Sequence, residues 1–317
     1  MTLMQVRSAI GHRSRHTTCS AVALKVSDYI LPNPMQASTV LPGASKNTEI
    51  LNTAECFLLS PEEPIFTIVV FLEGDQIHIA RFSGRCASQT DIIPEELEDV
   101  FKPDKTAFQP QYLDNSTRAS PTIQLYMKRP NLLSYYPVDD TNKKRIAEEM
   151  LQEVKVCEMF RLQSHPSIAE YLGCEVNDDK ITGICFKQYR QSLQQRLNPG
   201  HLNKREFARN SHLDDVWCSN IIEGIKKGLD HIHARGLVHN DITPSNIMLD
   251  EQGTPIIIDF GSCRAKRESL EDVGHTYEWY DDGVKTASPS NDLDALAEMR
   301  AWMFGKVDEF KFAEMTV

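Results

Sequence analysis

Apolar positions along this chain change their spacing several times, and each change marks an element. In EPIFTIVVFLEGDQIHIARF (residues 63–82) two apolar runs flank Glu73-Gly74-Asp75, which predicts two strands around a tight turn. Residues 83 to 121 are punctuated by proline and carry no sustained period, so they read as irregular. A short strand is expected in TIQLYMKRP (122–130), stopped by Pro130. From about Asn142 to Gln163, Ile146, Met150, Val154 and Cys157 recur on one helical face, and His165-Pro166 ends the run. SIAEYLGCEV and KITGICFKQY read as strands on either side of an Asn-Asp-Asp turn. A second helix is expected from about Asp214 to Ala234, with Trp217, Ile221, Ile225, Leu229 and Ile232 inward and Gly236 closing it. SNIMLDEQGTPIIIDFG reads as a hairpin turning at Glu251-Gln252-Gly253, and a last helix starts near Asn291.

Strands come first and helices later, with one helix among the strands, which is an α+β order. Residues 1 to about 50 lack periodicity and are rich in Ser, Thr, Pro and Ala, so they read as a disordered tail. Residues 51–121 read as an extension carrying the hairpin and the irregular segment.

Composition narrows the function classes more than it names one. The 317 residues are 41% hydrophobic and 25% charged, as expected of a globular chain with a real core. A formal net charge of −11 argues against a nucleic-acid partner held by phosphate contacts. No stretch approaches the apolar length of a membrane span. The eight cysteines show no CxxC pair or metal spacing and read as reduced core thiols of an intracellular protein. The first acidic residue is Asp28, while Arg7, Arg13, Arg15 and Lys25 precede it or lie beside it. A basic tail on a cytoplasmic or nuclear protein is the simpler account of that bias, and a mitochondrial presequence is the alternative.

The chemistry gathers in LVHNDITPSNIMLD and the following IIIDFG. Asp241 and Asn246 flank a turn containing Pro244, and the hairpin returns Asp259 toward them. Two carboxylates and an amide oxygen are hard ligands that suit Mg²⁺ shared with phosphates, and a carboxylate off the metal could accept a hydroxyl proton. Taken singly, Asp241 would be a turn cap, Asn246 a backbone partner and Asp259 a loop opener.

Their coincidence with His239 and the Asp-Phe-Gly triplet resembles the eukaryotic protein kinase family, from about residue 122 to 305. The phrasing is similar to that of kinase-like proteins common in filamentous fungi. The resemblance implies a two-lobe fold, with residues 122–190 as the small lobe and 191–317 as a large lobe shortened at its end. It implies ATP and Mg²⁺, with Asp241 as base, His239 supporting the loop, and Asn246 and Asp259 holding metal. Lys128 would bind the nucleotide phosphates and pair with Glu153 on the following helix, in preference to Glu158. Phe186 would gate the adenine pocket, with Lys187, Gln188 and Tyr189 offering backbone hydrogen bonds.

Four departures stand against the pattern. No GxGxxG precedes Lys128; Asn240 replaces the usual Arg; Thr243 stands where Ser/Thr-specific relatives carry Lys; and GHTYEWYDDG lacks the APE triplet. The chain stops 25 residues after Asp292, the expected anchor of the central helix, so a partner covering the end of the large lobe is expected. The resemblance implies transfer of the γ-phosphate of Mg-ATP to a Ser or Thr hydroxyl of a protein. A pseudokinase binding module and a small-molecule kinase of the choline or aminoglycoside type are the alternatives.

Overall fold

The computed structural model describes residues 4–8, 48–58, 66–74, 76–83, 92–120, 125–135, 142–271, 273–276, 278–281 and 283–312. They fall in two compact units. One takes in Met1–Gln109 and Pro130–Ala147, the other Pro110–Arg129 and Glu148–Thr316.

The first unit is a five-stranded antiparallel sheet in chain order: β1 (Met4–Ser8), β2 (Thr48–Leu58), β3 (Phe66–Glu73), β4 (Gln76–Phe82) and β5 (Leu97–Phe101). β3 and β4 are the hairpin expected around Gly74, with Glu73 opposite Gln76 and Gly74 at φ +59°. Asp75 lies outside the described residues. β3 reads as a continuous apolar run because both of its faces are covered. Phe66, Ile68 and Val70 pack with Ile79, Phe108 and Tyr135, whereas Val69 and Phe71 pack with Ala80, Phe82 and Ile92.

Two segments differ from expectation. Met4–Ser8, inside the stretch read as a disordered tail, pairs with β2; residues 9–47 of that stretch lie outside the described residues. β5 sits in the stretch read as irregular. It is a mostly exposed edge strand tied by ion pairs from Arg81 to Glu98 (2.9 Å) and Asp99 (3.3 Å), so no burial period marks it.

The second unit begins with a three-stranded antiparallel sheet, order β6-β8-β7, built from β6 (Leu125–Lys128), β7 (Tyr171–Asn177) and β8 (Lys180–Lys187). Between β6 and β7 runs helix α1 (Asn142–Leu162), of which Glu148 onward belongs to this unit. Ile146, Met150, Val154 and Cys157 are all buried, as their spacing predicts. The second unit takes in residues from Pro110 onward, ahead of β6. Residues 110–119 hydrogen-bond to β7, β8 and the turn between them: Ala119 N–H to Cys174 O (2.8 Å), Tyr112 N–H to Asp179 O (2.8 Å) and Ile181 N–H to Pro110 O (2.8 Å).

The rest of this unit is mainly helical. A small sheet of order β12-β11-β9 is formed by β9 (Gln191–Ser192), β11 (Ile247–Leu249) and β12 (Pro255–Ile257); β10 (Leu237–Val238) pairs with β13 (Arg264–Ala265). The helices are α2 (Leu193–Leu197), α3 (Lys204–Asn210), α4 (Asp215–His233) and α5 (Pro289–Met303). Asp214 caps α4 by accepting the Trp217 N–H (2.7 Å). Ile221, Ile225, Leu229 and Ile232 are buried as predicted, but Trp217 is only half-buried, under the Arg196 guanidinium. Gly236 turns the chain at φ +74°. The β11–β12 hairpin pairs Leu249 with Pro255 across the expected turn.

The five cysteines from Cys157 onward are buried and free, whereas the side chains of Cys19, Cys56 and Cys86 lie outside the described residues. Among the described residues no helix is long and apolar enough to cross a membrane.

Candidate active site

β6 ends in Lys128, and α1 presents Glu153 on the same side as Val154 and Cys157. The Lys128 ammonium donates to both Glu153 oxygens at 2.9 Å and to Asp259 Oδ1 at 2.9 Å. The two carboxylate side chains are 5% and 7% exposed, while the lysine retains 21%. Burial pushes the Glu153 carboxyl up against the pull of Lys128, with Asp259 adding to the rise. The Phe260 N–H donates to Glu153 Oε1 (3.2 Å), so α1 also holds the strand-to-loop corner that carries Asp259. Phe260 packs edge-on against Phe160 of α1 and against His239. Asp259 itself sits at φ +60°, a left-handed conformation that a short polar side chain tolerates.

The loop after β10 brings the second cluster. His239 Nε2 donates to Ile258 O (3.0 Å) and Nδ1 accepts the Asp241 N–H (3.3 Å), which places the ring proton on Nε2 and joins the two loops. Asn246 Nδ2 donates to Asp241 Oδ2 (2.6 Å) and to Asp241 O (2.9 Å). Asp241 Oδ1 accepts the Thr276 N–H (2.9 Å). Beneath the loop, the fully buried Asp292 of α5 accepts the N–H groups of His239 (2.8 Å) and Asn240 (2.7 Å), along with a hydrogen bond from His233 (2.7 Å).

The two unusual loop residues have local tasks. Asn240 stands at φ +63°, donates to Val238 O and Ser262 O, and accepts from Asn291. Thr243 caps the Pro244–Asn246 turn by accepting the Asn246 N–H (3.3 Å).

Glu158, the alternative partner for Lys128, faces elsewhere and accepts from the Thr117 N–H and from Thr117 Oγ1 (3.0 Å). Phe186 is buried beside Tyr171, with ring centroids 6.0 Å apart. The Lys187 N–H is engaged by Glu170 O (2.9 Å), and the Tyr189 hydroxyl accepts the Glu170 N–H (3.1 Å). Of the expected adenine-binding donors, that of Lys187 is therefore committed inside the fold. Residues 110–119, within the glycine-poor stretch ahead of Lys128, lie along the β7–β8 hairpin.

The donor set can be tested against Mg²⁺. Among the described residues no three His, Cys, Asp or Glu side chains form a metal cage. With Nδ2 committed to Asp241, the remaining polar atom of the Asn246 side chain is Oδ1, a hard acceptor, and Asp259 adds a carboxylate. One carboxylate and one amide oxygen suit a cation whose other ligands are phosphates and water.

Sequence reasoning missed the Thr276 amide on Asp241, the Thr117–Glu158 contact, and a buried ion pair between Lys204 of α3 and Glu298 of α5. The one available signal was apolar context: Lys204 and Glu298 lie in helices whose neighbours Phe207, Ala208, Ala301 and Trp302 are buried.

Residues 136–284, just under half the chain, match the family described as Protein kinase domain. Lys128 and residues 110–120 precede the matched segment. Over 152 residues the chain is 32% identical to the serine/threonine-protein kinase SSK22 of Saccharomyces cerevisiae, covering 47% of this chain and 10% of that protein. It is 30% identical over 128 residues to the MAP kinase kinase kinase SSK2 of the same yeast, covering 40% and 7%. With the mitogen-activated protein kinase kinase kinase YODA of Arabidopsis thaliana it shares 27% identity over 158 residues, covering 48% and 16%. The chain thus spans only a small part of these relatives' length.

Proposed function

Since the chain belongs to the eukaryotic protein kinase-like family, with its α+β two-lobe fold, we propose that it transfers the γ-phosphoryl group of Mg-ATP to a serine or threonine hydroxyl of a protein. The observation that carries this reading is the convergence of Lys128, Glu153 and Asp259 through 2.9 Å ion pairs beside the Asp241–Asn246 hydrogen bond.

On this reading the acceptor hydroxyl oxygen forms a bond to the γ-phosphorus while the bond to the β,γ-bridging oxygen breaks. The hydroxyl proton goes to Asp241, and ADP and a phosphoester leave. Lys128 holds the phosphates, with Glu153 fixing its ammonium. Asp259 and Asn246 would hold Mg²⁺, which when bound neutralises charge on the phosphates. His239 and Asp292 act through the loop: one ties it to Ile258, the other accepts its amides and so holds Asp241 in place. Phe186 and the stretch Lys187–Tyr189 would border the adenine.

A binding module without catalysis is the second reading. It is favoured by the Thr276 amide and the Asn246 side chain, which engage both oxygens of Asp241 within the chain. The test is incubation of the purified chain with Mg²⁺, ATP labelled in the γ-phosphate, and a mixture of protein, amino-alcohol and aminoglycoside acceptors. Label recovered as phosphoserine or phosphothreonine supports the kinase. Mg-ATP binding without transfer supports the module, and label on an amino alcohol or aminoglycoside supports the small-molecule kinase.

A further inference from the structure

Residues 110–120 form a strap on the β7 edge of the sheet. Besides the bonds already described, Cys174 N–H donates to Thr117 O (2.7 Å), and the Arg118 guanidinium lies over the Tyr112 ring at 5.0 Å. The approach is as close as backbone allows. Gly173 stands at φ +119°, and a Cβ there would lie 2.7 Å from Ala119 N and 2.8 Å from Arg118 C, so only glycine fits beneath the strap.

At this closest point the strap reaches α1. Glu158 accepts the Thr117 N–H on one oxygen and the Thr117 hydroxyl (3.0 Å) and Arg161 Nε (3.0 Å) on the other. Burial works against the charged form, yet these hydrogen bonds win, and the Glu158 carboxyl lies below its ordinary range. The carboxylate is the form that can accept all three donors.

Glu158 follows Glu153 by five positions, which at 3.6 residues per turn sets the two about 140° apart around the helix. One carboxylate is held by Lys128 and the Phe260 amide, the other by the strap. Fixed on two sides, the helix cannot rotate without breaking one set. We propose that Thr117 and Glu158 are positioning residues: the strap sets the rotation of α1 and thereby keeps Glu153 on Lys128. This rests on the Lys128–Glu153–Asp259 site described above, and it gives the chain its own built-in holder for that helix.

The test uses the full chain and two readouts. Glu158→Ala removes the acceptor, Thr117→Val removes one donor, Thr117→Ser restores it, and Gly173→Ala lifts the strap without touching either residue. Hydrogen exchange of the Phe260 amide reports whether Glu153 keeps its place. The expected result is exchange on the order of 10-fold faster in Glu158→Ala and Gly173→Ala, an intermediate rise in Thr117→Val, and wild-type exchange in Thr117→Ser. ATP turnover should fall in the same order. Unchanged Phe260 exchange in Glu158→Ala, with faster exchange confined to residues 110–120, would overturn the proposal and leave the strap a mere edge cover. A wild-type chain with no turnover would count against the kinase reading alone, because the exchange measurement still decides the clamp.

Discussion

Two lysines of the second unit are paired with buried glutamates, and their surroundings differ in kind. Lys204 is sealed: its ammonium meets the fully buried Glu298 carboxylate and the Glu278 carbonyl (2.6 Å), with the rings of Trp279 and Phe310 each 4.7 Å away. One ammonium faces one carboxylate, the aromatic faces complete the shell, and burial lowers the ammonium's pKa. Lys128 meets two carboxylates and keeps a fifth of its side chain open to solvent. The first centre is closed in charge and space and can only hold α3, α5 and neighbouring segments together. The second keeps an open side beside two carboxylates, as the proposed nucleotide site would require. The first unit sharpens the contrast, because the buried polar side chains among its described residues are the threonines Thr48, Thr53 and Thr67.

The largest effect should separate the lysines by stability. Lys204→Met leaves Glu298 buried without a counter-charge and should cost about 3–5 kcal/mol in a denaturant titration. Lys128→Met strands Glu153 and Asp259, but beside an open side where solvent can compensate them, and should cost less while abolishing turnover. Equal losses of stability would erase the distinction between the two centres.

Next in size is the proposed base. Asp241→Asn should leave nucleotide affinity nearly intact and lower turnover by a factor on the order of 10². Turnover equal to wild type would remove Asp241 from the chemistry.

A double-mutant cycle of Lys128→Met and Glu153→Gln, read by denaturant titration, then asks whether the open centre behaves as a unit. Non-additivity of roughly 0.5–3 kcal/mol is expected of such a pair. Strict additivity would mean that the pair has no energetic substance.

The motif residues were legible because each is tied to neighbours in sequence. His239, Asp241 and Asn246 lie on one loop, Asp259 ends the next hairpin arm, and the period of Ile146, Met150, Val154 and Cys157 sets the helix on which Glu153 sits. What escaped is non-local. Thr117 and Glu158 are 41 positions apart, Lys204 and Glu298 are 94 apart, and neither pair has a pattern of spacing that foretells its meeting. β5 escaped for a different reason: an edge strand held by ion pairs has no apolar alternation to read. The strap's place on the β7–β8 hairpin was not legible either, because backbone hydrogen bonds leave no trace in side-chain type.

The smallest expected effect concerns the corner after α1. His165 and His231 pack with tilted rings, centroids 4.8 Å apart, beside Arg235, and both imidazoles lie below their ordinary value of 6.5, through burial first and then neighbouring positive charge. A depressed histidine pKa leaves stability intact above 6.5 and removes it as pH falls below that value toward the folded-state pKa. The rings are only half-buried, so solvent limits the loss to a Tm shift on the order of 2–4 °C between pH 7 and 5. His231→Gln should flatten that slope, and an unchanged slope would assign it elsewhere.

The central claim is that the open centre, unlike the sealed one, exists to hold a metal-bound polyphosphate. Its most direct test is calorimetric titration of ATP into wild type, Asp259→Ala and Glu298→Gln, each with and without Mg²⁺. Affinity that rises with Mg²⁺ in wild type and in whatever Glu298→Gln remains folded, but not in Asp259→Ala, is the predicted result. An Asp259→Ala chain whose ATP affinity still rises with Mg²⁺ would contradict it.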